Sequence, residues 1–285
     1  MAGKILFAVD FSPFSESMLG CVAELAQTGM DEIIVVHVME GAPSEKNEER
    51  LAELARKAGE QGLEVRTRLL TGHPVSAIVD AAREEDVDLI YVGSHGKGFL
   101  HRHILGSVSD KVVRLADRPV MVIKCDIKEK KDGYDCEQAC SRLLGHILVA
   151  NDFSKYADRV NPALTRFAQA FCTRVTLLNV QESLDIYGGE NATRALTEDT
   201  KEDMDHLVEM GNEMGPYCEK VETLSLAGEP AFKILQVAED IGATLIVVGA
   251  LGKHEGHGDH IGRVTEKILR RSAVPVMVLK AGPVQ

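Results

Sequence analysis

No apolar run in these 285 residues approaches the roughly 18 that a membrane-spanning helix needs. There is no surplus of basic charge either: 32 Lys and Arg stand against 44 Asp and Glu, a formal net charge of -12. A nucleic-acid backbone or an anionic membrane is thereby excluded as the main partner, because both are held by basic surface. A small anion in a local pocket is not excluded, since backbone N–H groups alone can build a phosphate site. Met1-Ala2-Gly3-Lys4 runs straight into Ile5–Val9, too short for the apolar region of a signal peptide. A soluble, cytoplasmic chain is expected. The six cysteines are scattered, so reduced thiols are expected. Cys136 and Cys140 could share a helix face, but they lack two further zinc ligands nearby. No G-x-x-x-x-G-K-[ST] loop occurs, and the first apolar run leads into Asp10-Phe-Ser-Pro rather than glycines. Neither a P-loop nor a dinucleotide fingerprint is present.

What is there is a repeat. Ile5-Leu-Phe-Ala-Val-Asp10-Phe-Ser returns as Ile147-Leu-Val-Ala-Asn-Asp152-Phe-Ser. Val35-Val-His-Val38 returns as Leu177-Leu-Asn-Val180, and Thr71-Gly-His-Pro74 as Ala227-Gly-Glu-Pro230. Asp88-Leu-Ile-Tyr-Val-Gly93 becomes Thr244-Leu-Ile-Val-Val-Gly249, and Arg118-Pro-Val-Met-Val becomes Val274-Pro-Val-Met-Val. Five matches in one order mean tandem copies. The offset is 142 residues at Ile5/Ile147 and 156 at Gly93/Gly249, so the second copy carries about 14 extra residues. They are placed in the polar stretch Glu182–Asp205. The chain divides into a first domain over 1–126, a linker over 127–144 that begins charged and glycine-terminated, and a second domain over 145–285.

Each matched apolar run is short, rich in Val and Ile, and not alternating, as in strands buried on both faces of a parallel sheet. Helix-period segments lie between them: Phe14, Met18, Val22 and Leu25 on one face, then Leu51, Leu54, Ala55 and Ala58, then Val75, Ile78, Val79 and Ala82, then Val108, Val112 and Leu115. Ser12-Pro13 reads as an N-cap and first helical residue. Alternating strands and helices predict two tandem doubly wound α/β domains, each an open five-stranded parallel sheet flanked by helices. In such sheets ligands bind beyond the carboxyl ends of the strands. Asp10, Val38, Thr71-Gly72 and Gly93 fall there.

The stretch that carries chemistry is Gly93-Ser-His-Gly96-Lys-Gly98-Phe-Leu-His101-Arg102-His103-Ile-Leu-Gly106-Ser107-Val-Ser109. It leaves a strand at Gly93 and enters a helix near Ser107. Glycines let backbone approach a ligand, the helix start offers N–H groups and positive dipole, and Ser107 and Ser109 add hydroxyls. These are the groups a di- or triphosphate needs. The spacing Gly93-x2-Gly96-x9-Gly106-Ser107 resembles that of the ATP-binding universal stress protein family, whose motif is G-x2-G-x9-G-[ST]. The likeness extends to Asp-Phe-Ser after the first strand, His-Val ending the second, Gly-x-Pro before the third helix and Pro-Val in the last strand. It implies an adenine nucleotide alpha hydrolase-like fold and ATP, with magnesium, as the ligand. It further implies that Asp10 meets the ribose or adenine, that Val38 backbone meets adenine, and that Gly93, Gly96, Gly106, Ser107, Val108 and Ser109 cradle phosphates. A regulatory or stress-response role follows from the resemblance, as does pairing of the two copies as a pseudo-dimer, with further homodimerisation open.

The second copy reads Gly249-x2-Gly252-x9-Gly262-Arg263. Asp152, Val180, Gly249, Gly252, Gly262, Arg263 and Thr265 would form its site. Arg263 replaces the motif hydroxyl and either fills the pocket or grips a phosphate. Lys97 and Arg102 sit in the first copy's loop, where they either neutralise phosphate or face solvent. His254, His257 and His260 are spaced for a transition metal, the plain alternative being a polar glycine loop; no metal site is assigned. No nucleophile–base pair is evident, so no catalytic residue is assigned. A slow ATP hydrolase and a non-binding interaction module built on the second copy remain the competing readings.

Overall fold

A computed structural model describes residues 3–12, 14–15, 18–19, 24–25, 30, 32–41, 44–60, 64–94, 105–124, 128–130, 133–135, 143–171, 174–182, 190–253 and 261–281. Two compact units emerge, one of residues 1–143 with 272–285 and one of residues 144–271.

In the first unit, β1 (Lys4–Ala8), β2 (Glu32–Met39), β3 (Glu64–Thr71), β4 (Leu89–Gly93) and β5 (Val120–Ile123) lie parallel in the order β5-β4-β1-β2-β3. The switch in strand order falls between β1 and β4. Helices α1 (Glu45–Gly59), α2 (Pro74–Glu84) and α3 (Ser107–Leu115) connect them. Ile5, Ile33, Ile90 and Val122, all fully buried, form the sheet's share of the core. β3 is half-exposed, as an edge strand, and carries Arg66 and Arg68. Arg66 pairs with Glu32 and Glu85, and Arg68 with Glu84 and Glu85. Charge on an edge also blunts pairing with other chains.

Ser109, Val112 and Val113 form the buried stripe of α3. Leu115 is 43% exposed, contrary to the face drawn through Val108, Val112 and Leu115. The stripe is rotated because Ser109 has a buried acceptor for its hydroxyl, described below. The charged join holds a two-stranded ribbon, β6 (Lys128–Lys130) antiparallel to β7 (Gly133–Asp135).

The second unit contains β8 (His146–Ala150), β9 (Arg174–Gln181), β10 (Lys220–Ala227) and β11 (Leu245–Gly249), parallel in the order β11-β8-β9-β10. Its helices are α4 (Lys155–Phe171), α5 (Glu190–Met214), α6 (Pro230–Asp240) and α7 (Arg263–Arg271). The extra residues of this copy lengthen the crossover helix: α5 has 25 residues where its counterpart α1 has 15. The fifth strand of the second repeat, β12 (Val276–Leu279), groups with the first unit and runs antiparallel to β5, Met277 opposite Met121.

His146 opens β8 from a buried position. Its Nδ1 lies 3.1 Å from the Ile241 carbonyl, which can only accept, so Nδ1 carries the proton. Nε2 then accepts from the Thr176 hydroxyl at 2.9 Å. This ring is held neutral: burial lowers its pKa below 6.5, and the Arg174 charge lowers it further. The unfolded chain therefore takes up a proton before the folded one does, and stability is lost as pH falls below about 6.5. The urea midpoint of the second unit is expected to drop between pH 7.5 and 5, and His146→Gln to flatten that dependence. An unchanged slope in the variant would refute the assignment.

Candidate functional site

The cleft of the first unit is built from two turns at the strand ends. Val9 N–H still donates to Val36 O at 2.9 Å. Asp10 then turns the chain, its Oδ1 accepting from the Ser12 N–H at 3.0 Å and the Ser12 hydroxyl at 2.6 Å. A short carboxylate that bonds its own backbone two residues on is a turn former. Ser12 in turn caps the following helix, its Oγ accepting from Ser15 N–H at 3.1 Å.

Between them Phe11 sits at φ 58°, a left-handed conformation that costs a non-glycine residue about 1–2 kcal/mol. Arg50 holds it there: Nη2 donates to Phe11 O at 2.9 Å, and the guanidinium lies 4.5 Å from the ring centroid. The other face of the ring packs on His37, centroids 4.1 Å apart. His37 Nδ1 donates to Val9 O at 2.8 Å, so one side chain of β2 supports the turn at the end of β1.

The second turn joins β4 to α3. Ser109 Oγ donates to Gly93 O at 2.5 Å, and Gly106 N–H to Ser94 O at 2.7 Å. The first intrahelical bond is Asp110 N–H to Gly106 O, at 2.9 Å. The N–H groups of Ser107, Val108 and Ser109 precede it. The N-cap is Gly106, which supplies no side-chain acceptor. The positive end of the helix is thus presented for an anion.

Two of these residues also have a role within the fold. The Ser109 proton is committed to Gly93 O, so toward a phosphate Ser109 offers its backbone N–H and not a hydroxyl donor. A Cβ on Gly93 would stand 2.6 Å from Phe14 Cε1 and 3.1 Å from Met18 Sδ. The absent side chain there makes room for Phe14.

Asp10, Val38, Gly93, Gly106, Ser107, Val108 and Ser109 all line one cleft of about 300 Å3, together with Pro74 and Ile78 of α2. Gly96, Lys97, Arg102 and the histidines at 95, 101 and 103 lie outside the described residues. So do His254, His257, His260, Cys136 and Cys140.

The second unit repeats the construction. Asp152 Oδ1 accepts from Ser154 N–H at 3.1 Å, Ser154 Oγ from Ala157 N–H at 3.1 Å, and Phe153 stands at φ 52°. Asn179 takes the part of His37, its Nδ2 donating to Asn151 O at 2.9 Å. Thr265 Oγ1 donates to Gly249 O at 2.7 Å. Asp152 Oδ2 additionally accepts from Lys253 N–H at 2.9 Å. A Cβ on Gly252 would lie 2.8 Å from that oxygen, so this glycine is required by the approach of the carboxylate.

Asp152, Val180, Gly249, Gly252, Gly262, Arg263 and Thr265 line a cleft of about 810 Å3. Arg263, exposed at the start of α7, is one of the residues that line it. Glu229 caps α6 through Phe232 N–H at 2.7 Å and pairs with Lys267 at 2.8 Å. Burial works to raise its pKa, yet Lys267 and the Phe232 N–H hold it below the ordinary value.

Both volumes fall within the roughly 300–1,000 Å3 of small-molecule sites. Among the described residues no group of three His, Cys, Asp or Glu could hold a metal ion, and no helix is long and apolar enough to cross a membrane.

Sequence reasoning passed over Phe153, Gln181, Asp203, His206 and Lys253 of the larger cleft. The repeated Asp-Phe-Ser and Gly-Lys pairs were the available signal for Phe153 and Lys253. Residues of the insertion had no counterpart to be matched with.

The family profile described as the universal stress protein family matches residues 1–124 and 144–280. A universal stress protein of Methanocaldococcus jannaschii is 34% identical over 124 residues, 44% of this chain and 65% of that relative's length. One of Mycolicibacterium smegmatis is 24% identical over 304 residues, covering 97% of this chain and 96% of the relative. The crystal structure of a universal stress protein from Archaeoglobus fulgidus superposes with a TM-score of 0.73 at 26% identity, over 99% of this chain and 100% of that one.

Gly93→Ala is expected to destabilise the first unit by about 1–3 kcal/mol through overpacking against Phe14. Phe14→Ala in the same chain should cancel the Gly93→Ala increment. Gly249→Ala, where the nearest atom is Leu251 O at 3.3 Å, should cost less. Urea denaturation of Gly93→Ala, Phe14→Ala, the double variant and Gly249→Ala measures this, and equal costs at the two glycines would contradict it.

Proposed function

Since this chain belongs to the universal stress protein family, we propose that it is a nucleotide-binding regulatory protein whose first unit holds ATP. The observation that carries this reading is the start of α3. Three successive N–H groups precede its first intrahelical bond. Its N-cap brings no competing side chain, and the bond from Ser109 to Gly93 O fixes it over the strand ends. An anion placed there gains directed hydrogen bonds and the helix dipole.

Across the cleft, Val9, Val36, Val38, Pro74 and Ile78 supply an apolar wall for a flat base. Asp10, at the tip of β1, is placed for a ribose hydroxyl. Magnesium would ride on the phosphates and water, as it does where a protein offers few ligands. Asp10 is the single carboxylate among the described lining residues, and it is engaged in its own turn. That favours holding the nucleotide over cleaving it quickly, because among the described lining residues Asp10 is bonded to its own turn and His37 Nδ1 to Val9 O, which leaves neither positioned for an attacking water.

Calorimetry of the full chain with ATP and magnesium should give heat of binding. Asp10→Ala should weaken binding by about tenfold, the loss of one good hydrogen bond. Gly106→Val should abolish it in this unit by placing a branched side chain where phosphate approaches. No heat from the unmodified chain would refute the reading.

A further inference from the structure

The two clefts differ by more than a factor of two in volume, about 300 Å3 against 810 Å3, and the difference has a local cause. In the first unit Arg50 of α1 closes over Phe11, and among the described residues α1 contributes nothing to the cleft. In the second unit the equivalent helix is the lengthened α5. It leaves Phe153 open to the cavity and adds Glu202, Asp203 and His206 to its wall. Phe153 and His206 lie with ring centroids 5.1 Å apart, two flat surfaces at the mouth of this extension.

Three carboxylates stand on this wall, those of Asp203, Glu182 and Glu202. Asp203 Oδ2 accepts from Gln181 Nε2 at 2.8 Å, and an ionised carboxylate has about four acceptor sites and no donor. A carboxylate on a cleft wall is satisfied by a ligand edge of donors.

We propose that the second unit binds a guanine nucleotide and that Asp203 is the residue that selects the base. Guanine presents N1–H and N2–H side by side, a fork that one carboxylate accepts from both arms. Adenine presents a ring nitrogen lone pair at the same place, which the carboxylate repels. The ring stacks against Phe153 and His206. The phosphates lie at the other end of the cleft, at the start of α7, where Arg263 and the Lys253 side chain supply positive charge. The assignment rests on the nucleotide reading of the strand-end clefts and is independent of which nucleotide the first unit takes.

Calorimetry of the full-length chain with GTP and with ATP tests it. GTP should bind at one site per chain that ATP displaces at least about tenfold less well. Asp203→Asn should weaken GTP by about tenfold or more and strengthen xanthosine triphosphate, whose 2-carbonyl accepts from the new carboxamide. ATP binding by the first unit should be unaltered in that variant. The gain for the xanthine nucleotide is a result that a merely structural Asp203 could not produce. No heat with GTP, equal displacement by ATP, or an unaltered GTP affinity in Asp203→Asn overturns the proposal. If ATP still binds through Asp10 in that event, the guanine assignment alone fails; if neither nucleotide binds, the nucleotide reading fails with it.

Discussion

One hydroxyl-to-carbonyl bond sets the position of everything else at each cleft. Ser109 Oγ to Gly93 O at 2.5 Å, and Thr265 Oγ1 to Gly249 O at 2.7 Å, tie the third residue of a helix to the last residue of the strand before it. A second bond runs beside each, Gly106 N–H to Ser94 O and Gly262 N–H to Ala250 O, both 2.7 Å. A buried strand-end carbonyl must find a donor or lose about 1–3 kcal/mol. Here it finds one only when the helix begins directly over the strand. The same bond therefore satisfies the backbone of the core and aims the helix dipole at the cleft. Any β-hydroxyl residue serves, which is why Ser in one copy and Thr in the other give the same geometry.

The opposite wall is held by strain. Phe11 and Phe153 both adopt left-handed backbone, at φ 58° and 52°, and such residues persist only where surrounding contacts over-determine them. Each is flanked by an aspartate that bonds the residue two ahead and a serine that caps the next helix. Each is also buttressed from the second strand, by His37 on Val9 O or by Asn179 on Asn151 O. The two side chains differ in chemistry but perform one bond, donation to the carbonyl that precedes the aspartate. The turn is thus a cooperative unit, and the carboxylate at its tip is displayed toward the cleft because the chain cannot relax.

The architecture was legible because its signals are periodic and repeated. Non-alternating Val and Ile runs marked parallel strands, and five ordered matches marked two copies; the described members of the predicted site do line the two clefts. What the spacing could not tell was where a side chain spends its hydrogen bond. Gly93 reads as a ligand-facing glycine, yet it is Phe14 that excludes a Cβ there. Ser109 reads as a phosphate donor, yet its proton goes to Gly93 O. Leu115 fits a helical period, yet Val113 is the buried residue, because a hydroxyl with a partner can occupy the core face that periodicity reserves for carbon. Each of these is a question of pairing in space, and neither residue type nor register contains the partner.

The insertion changes one wall of a cleft that the two copies otherwise build alike. A crossover helix that packs closely on its sheet covers the end of the cleft beside the left-handed phenylalanine with whatever side chain reaches that ring. In the first unit that side chain is Arg50, whose guanidinium meets both the carbonyl and the ring of Phe11. The long α5 of the second unit presents carboxylates and an imidazole at that wall, and an acidic group cannot close on a backbone carbonyl or on the negative face of a ring as a guanidinium does. The wall must then stay open and hydrated, or be covered by something that brings donors. The end of each cleft at the helix start is constrained by the strand-end lock and is built alike in both copies. The end beneath the crossover helix is constrained only by what that helix carries, so divergence after duplication is channelled into that wall.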